Sequence, residues 1–160
     1  MSLPTNLSDA ELLQALNDRQ SRTNAYLYYG IQVQPRITHV DQANCEMRCE
    51  ILVTENDIGA SGTLDEGWLG TVTDNTTAII IGVMGERGRA SVSTAISVQG
   101  VMPVHPNTLV EMCCKLTNRG GIQPHATAVF RDKMKPETVY AVGSHTKFYK
   151  NNLVVTQPKI

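Results

Sequence analysis

The sequence has no strong excess of charge of either sign, no long apolar run and little aromatic character. Formal net charge is −1, which argues against a general nucleic-acid binder, because such proteins carry a marked basic excess. No apolar run approaches the roughly 18 residues that would nominate a membrane span, so no membrane crossing is expected. The opening Met-Ser-Leu-Pro-Thr-Asn-Leu-Ser-Asp-Ala-Glu has neither an apolar signal region nor the arginine-rich, acid-poor character of a transit peptide. The expected location is therefore the cytoplasm, with mitochondrial association left open. There are four cysteines. Cys45, Cys49, Cys113 and Cys114 read as reduced thiols and not as a disulfide frame. Cys45-x-x-x-Cys49 reads either as half a metal site or as core cysteine. The adjacent pair Cys113-Cys114 does not match zinc-ligand spacing, and no metal is expected. His39, His105 and His125 show no ligand spacing. There is no Ser-His-Asp order, phosphate loop, internal repeat or low-complexity segment.

What is present is globular. Apolar residues make up 41% and charged residues 18% of 160 positions, which suits one domain over 1–160 with a real core. The organising stretch is 62–85. Leu64, Trp68, Val72, Ile79 and Val83 recur at helical spacing and predict one long helix with an apolar stripe. Thr63 is the expected N-cap. Asp65 and Glu66 fall in the first turn, where negative charge suits the helix dipole, and Gly85 is the expected stop, with Gly88 just beyond. Asp65 and Asp74 are nine positions apart, about half a turn around the axis and about 13 Å along it. One helix cannot bring both into one small site, so a shared centre needs a second copy.

Around this helix the chain reads mostly as strand. Residues 8–20 form a short amphipathic helix capped by Ser8 or Asp9, with Leu12, Leu13 and Leu16 on its apolar side. Tyr26, Tyr28 and Tyr29 either line a pocket or pack as core. From 34 to about 54 two strands join through Asp41-Gln42-Ala43-Asn44, and 45–51 alternates apolar and charged. After a loop over 55–62 and the central helix come strands at 89–102, 108–117, 123–131 and 138–149. The turn between the second and third of these is Asn118-Arg119-Gly120-Gly121. In the first of them Val92, Thr94, Ile96, Val98 and Met102 share one face, and Ser91, Ser93, Ala95, Ser97 and Gln99 the other. Residues 151–160 read as a polar tail. The class is α+β, with an antiparallel sheet of five to six strands wrapped around one long helix.

That order resembles the hotdog fold, specifically the PaaI-type acyl-CoA thioesterases, including those of the acyl-CoA thioesterase 13 kind. The resemblance covers 34–150. Gly62-Thr63-Leu64, then Gly67, then Asp74-Asn75 is similar to the family's helix opening, Gly-Thr-Leu-His-Gly-Gly followed by Asp-Asn. A strand ending at Pro103 follows, and Gly143-Ser144-His145-Thr146-Lys147 resembles the family's Gly-Arg-His-Thr-Lys. The resemblance implies a thioesterase-like hydrolase acting on an acyl-CoA-type thioester, working as a homodimer or a dimer of dimers, without cofactor. It implies an oxyanion donor at the backbone N–H of Glu66, followed by Gly67. It implies a carboxylate, Asp74, that activates water or attacks directly from the partner's helix, and a serine, Ser93, that holds the water. The substrate-binding candidates are Asn56, Trp68, Asn75, His145 and Lys147, together with Arg119 and Gly120, whose turn has the composition of a phosphate contact and reads equally as a plain hairpin turn. For His145 and Lys147 the implied contact is the nucleotide and phosphates of coenzyme A. Ser93 lies on the small-polar face of its strand, so a bulge or a covering subunit would have to bring it to the site.

One departure stands out: the family's His-Gly-Gly is Asp65-Glu66-Gly67 here. A carboxylate about 5 Å from a developing oxyanion costs about 3 kcal/mol at an effective dielectric of about 20. Three readings follow. A protonated Asp65 could donate in place of the histidine. The pocket could serve a hydratase, dehydratase or isomerase reaction on a small or polyketide-like metabolite. Or the chain could bind a ligand without turning it over.

Overall fold

The computed structural model describes residues 3–4, 6–23, 35–86 and 89–150. The tyrosines at 26, 28 and 29, Gly88 and the 151–160 tail lie outside the described residues. The first helix, α1 (Asp9–Thr23), starts as the sequence predicts. Ser8 Oγ accepts from the Glu11 N–H at 3.3 Å and the Glu11 carboxylate accepts from the Ser8 N–H at 2.8 Å, a reciprocal capping box. Leu12 and Leu16 are buried, and the helix packs on strand β1 (Arg36–Asp41), which pairs with β2 (Glu46–Leu52).

The long helix is α2 (Glu66–Met84). Its N-cap is Asp65 and not Thr63: Asp65 Oδ1 accepts from the Trp68 N–H at 3.0 Å, while Thr63 Oγ1 pairs with Ser61 Oγ at 2.9 Å. Gly85 is the stop, as expected. A Cβ there would strike the Tyr149 hydroxyl and the Ile81 carbonyl, so no larger residue fits. After it come β3 (Ser91–Gly100), β4 (Leu109–Asn118), β5 (His125–Asp132) and β6 (Val139–Tyr149). The six strands make one antiparallel sheet in the order β1-β2-β4-β5-β6-β3. Helix α2 lies across one face and touches β3, β4, β5 and β6.

Period-two alternation places Met47, Cys49, Ile51, Val110, Met112, Cys114 and Leu116 in the core, as their patterns predict. All four cysteines are free thiols, and Cys49 and Cys114 are buried as small apolar groups. Beneath the helix the sheet presents Ala126, Ala128, Ala141 and Gly143, small residues that let the two backbones approach closely. The buried helix face is correspondingly broader than the predicted stripe. Leu64, Trp68, Val72 and Val83 are buried and Ile79 is partly so, but Thr73, Thr76, Thr77, Ile80 and Ile81 also face inward. Threonine hides this face from a hydrophobicity count.

Strand β3 corrects the sequence reading. Its register against β6 slips between Ser93, opposite Lys147, and Ala95, opposite Thr146. The extra residue reverses the alternation. Ser93 thereby shares the helix-facing side with Ile96 and Val98, while Val92 turns to the other face with Ala95, Ser97 and Gln99. Among the described residues no helix is long and apolar enough to cross a membrane.

The opposite face of the sheet holds a buried carboxylate that the alternation does not announce. Glu111 is 3% exposed and receives Arg131 Nη2 at 2.5 Å and Lys133 Nζ at 2.5 Å; Lys133 also reaches Glu50 at 3.3 Å. Burial alone would raise the Glu111 pKa. The hydrogen bonds from Lys133 and Arg131 outweigh it and bring the carboxyl down to about 2. A carboxylate with a depressed folded-state pKa contributes stability above its unfolded value and loses it as pH falls through the folded one. Glu111 is therefore expected to hold about 3 kcal/mol at neutral pH that disappears between about pH 5 and pH 2. Denaturant titrations of wild type and Glu111→Gln across that range check this. The variant should be less stable at pH 7 and show a flatter acid limb.

Candidate active site

Two clusters of polar groups sit at separate places on α2. The first surrounds the helix start. Asp57, in a short 3-10 turn (Glu55–Asp57), is 9% exposed and fully engaged. Its Oδ1 accepts the Trp68 indole N–H at 2.9 Å, and its Oδ2 accepts the Thr54 N–H and hydroxyl, each at 2.7 Å. Its carbonyl accepts the Asp65 N–H at 3.0 Å. These bonds fix where the helix begins. The first helical N–H groups, of Glu66 and Gly67, have no intrahelical acceptor by position, and none is found among the described residues. Glu66 also lines a cavity of about 480 Å³, together with residues 59–61, 63–65, 69 and 100–104. That volume suits a small-molecule site. Its lining mixes the carboxylates of Asp65 and Glu66 with apolar Leu64, Leu69, Val101, Met102 and Val104.

The second cluster lies farther along the helix. Asp74 on α2, Ser93 on β3, and His145 and Lys147 on β6 converge. His145 Nε2 is 2.9 Å from Ser93 Oγ and 3.5 Å from Asp74 Oδ1; Ser93 Oγ is 3.4 Å from Asp74 Oδ1; Lys147 Nζ donates to Ser93 Oγ at 3.1 Å. The β3 bulge makes this meeting possible. The imidazole is fully buried, and its Nδ1 lies 2.7 Å from Thr77 Oγ1. Burial, and then Lys147, push its pKa below the ordinary value; Asp74 opposes and His125 adds to the drop. Beside the cluster, the buried hydroxyl of Thr73 has no hydrogen-bond partner among the described residues, and its side chain fills the space a Cβ on Gly143 would need.

The expected residues are thus sorted by place. Asp65, Glu66 and Gly67 share the helix start; Asp74, Ser93, His145 and Lys147 share the second cluster. Trp68 is not a pocket residue: its ring is 4% exposed and its N–H is held by Asp57. Asn56 is exposed and outside the cavity lining, and Asn75 is exposed on α2. Arg119 and Gly120 sit at the far end of β4 from the cavity. There the Arg119 guanidinium donates to the Gln42 carbonyl at 2.7 Å, and the Gly120 N–H donates to Asn118 Oδ1. His145 is not a surface contact for a nucleotide, since it reaches no solvent. Asp65 Oδ1 is already an acceptor, so a protonated donor there would have only Oδ2 to offer. Sequence reasoning missed Asp57 and Thr77. Both act through long-range partners that spacing does not reveal.

Comparison with known proteins agrees with this architecture. No family model matches the chain. A Caenorhabditis elegans protein named as a putative esterase is 27% identical over 144 residues, 89% of this chain and 80% of its own length. Zebrafish thioesterase superfamily member 2 superposes with a TM-score of 0.75 at 19% identity, over 91% of this chain and 100% of its own. The Escherichia coli PaaI protein gives 0.66 at 12% identity, over 86% and 90%. A hypothetical thioesterase protein of Streptococcus pneumoniae TIGR4, solved with coenzyme A, gives 0.64 at 11% identity, over 74% and 87%.

The helix start yields a direct test. Asp57→Ala strands three donors and should lower stability by about 2–4 kcal/mol. The protein has one tryptophan, so its fluorescence reports the site: emission should shift to the red in the folded variant as the indole loses its partner and gains water.

Proposed function

From a chain with the hotdog fold of the PaaI-type thioesterases, we propose a hydrolase acting on an acyl thioester, coenzyme A being the expected carrier, at a site completed by a second copy of the chain. The observation that carries this reading is the separation of the two clusters. The open N–H groups of the helix start and the Asp74 carboxylate are the two halves a hydrolytic centre needs. On one helix they stand about 12 Å apart along the axis. Two α2 helices running antiparallel bring Asp74 of one copy to the Glu66 N–H of the other. Strand β3 supports such pairing. It is a sheet edge with no strand on its outer side among the described residues, and Ile96 on its helix-facing side is exposed, the kind of edge that a second strand covers.

In this reading the thioester carbonyl accepts from the Glu66 N–H, and the acyl group occupies the apolar part of the cavity. Asp74 of the other copy takes a proton from water as its oxygen attacks the carbonyl carbon. Negative charge builds on the carbonyl oxygen and is met by the N–H and the helix dipole. Collapse breaks the C–S bond. The thiolate leaves with the proton Asp74 took, giving a carboxylic acid and a thiol.

The acidic pair at the helix start supports a second reading, acid-base chemistry on a metabolite that is not a thioester. Asp65→His with Glu66→Gly separates the two: a gain of thioesterase activity from nothing favours the second. The first reading is checked by thiol release from acetyl-, hexanoyl-, phenylacetyl- and palmitoyl-coenzyme A. Wild type should hydrolyse at least one, Asp74→Ala should lose about a hundredfold or more in kcat, and Glu66→Gln should raise kcat by relieving repulsion of the oxyanion. No release from any thioester, or equal release by wild type and Asp74→Ala, overturns it.

A further inference from the structure

The second cluster contains a hydrogen-bond chain whose direction can be worked out atom by atom. Thr77 Oγ1 lies 2.5 Å from the Thr73 carbonyl and 3.4 Å from the Asp74 carbonyl. Carbonyls only accept, so the single Thr77 hydroxyl proton is committed to them. Toward His145 Nδ1, at 2.7 Å, Thr77 Oγ1 can then only accept. Nδ1 must carry the imidazole proton. In the neutral ring Nε2 is then bare and must accept, and the group that faces it at 2.9 Å is the Ser93 hydroxyl. Lys147 donates to the Ser93 oxygen at 3.1 Å from another side. Ser93 therefore gives its proton to His145, receives one from Lys147, and keeps one lone pair free.

We propose that His145 is a positioning residue that draws the Ser93 proton away from Asp74, so that Asp74 remains an unencumbered base and Ser93 an acceptor for the attacking water. This rests on the hydrolase reading above. A water between Asp74 and Ser93 then donates one hydrogen to each, and its oxygen lone pair is left for the carbonyl carbon. Without the bare Nε2, the Ser93 hydroxyl turns to its other acceptor, Asp74 Oδ1 at 3.4 Å, which weakens the base and presents water with a donor. The same geometry makes the site sensitive to acid. The charged groups facing His145 are Asp74 from α2, Lys147 from its own strand and His125 from β5. A proton on Nε2 would reverse the bond to Ser93 and pair the ring with Asp74, 3.5 Å away, masking the base.

The deciding measurement is the tautomer, which needs no substrate. Long-range ¹H–¹⁵N NMR of the intact protein at neutral pH should show His145 protonated at Nδ1 and bare at Nε2, the reverse of the form free imidazole favours. Thr77→Val, which removes the acceptor at Nδ1, should move the proton to Nε2. A wild-type ring protonated at Nε2, or on both nitrogens at pH 7, overturns the proposal. Kinetics supply the second arm. Ser93→Ala and His145→Gln should each lower kcat with little change in KM, and the double variant should lose no more than the worse single, about a hundredfold at most. The acid limb of the wild-type kcat profile should move to lower pH in His145→Gln. Multiplicative losses, or an unmoved acid limb, count against it. Should no thioester be turned over at all, the hydrolase reading fails while the spectrum still decides the direction of the chain.

Discussion

A helix keeps its own ends apart, and that constraint governs the rest. The start of α2 borders a cavity; the carboxylate that could drive water into a bound carbonyl is eight residues further on, beside β3 and β6. The helix itself cannot close that gap, because it lies against β3, β4, β5 and β6. Gly143 and the alanines of β5 and β6 let it lie close, Tyr149 fills the space at its end, and Asp57 fixes its beginning. In the proposed centre a second copy of the helix supplies the missing half.

The chemistry at the two halves differs in character. At the helix start, fixed dipoles and open N–H groups favour negative charge, and Asp65 and Glu66 oppose it. Asp65 is tied down as the helix cap, a structural duty that a histidine would not perform in the same way. Glu66 has no such duty and is exposed, so the electrostatic penalty at the proposed oxyanion site rests mainly on it. In the second cluster a buried imidazole, a hydroxyl, an ammonium and a carboxylate are linked, and the buried Thr77 sets the polarity of the chain.

Much of the fold was legible because it obeys simple periods. The alternation in β2 and β4, the apolar recurrence in α2, the Ser8 cap and the glycine stop each carry their cause within a few residues. The site was legible only in part. Asp74, Ser93 and the 143–147 segment were named from a resemblance; simple alternation put Ser93 on the wrong face, and of the two ways named to bring it to the site the register shows the bulge, which inverts a strand without altering its composition. Trp68 was named among the substrate-binding candidates, but its indole is buried. Its actual partner, Asp57, sits in a loop where spacing has no meaning. His145 was implied as a contact for the nucleotide, whereas it lies on the helix-facing side of β6 against Thr77 and is completely buried.

The claim on which everything turns is that each centre draws on two chains, and complementation tests it most directly. Glu66 is the first helical residue, where proline is tolerated, so Glu66→Pro removes its N–H while sparing the helix. Asp74→Ala removes the carboxylate. Each protein alone should be inactive toward the thioester that wild type hydrolyses. Unfolded and refolded together in equal amounts, random pairing makes half the dimers hybrid, each with one whole centre, and should restore about a quarter of wild-type activity. Hybrids seen by native mass spectrometry with no activity above the separate variants would contradict the account.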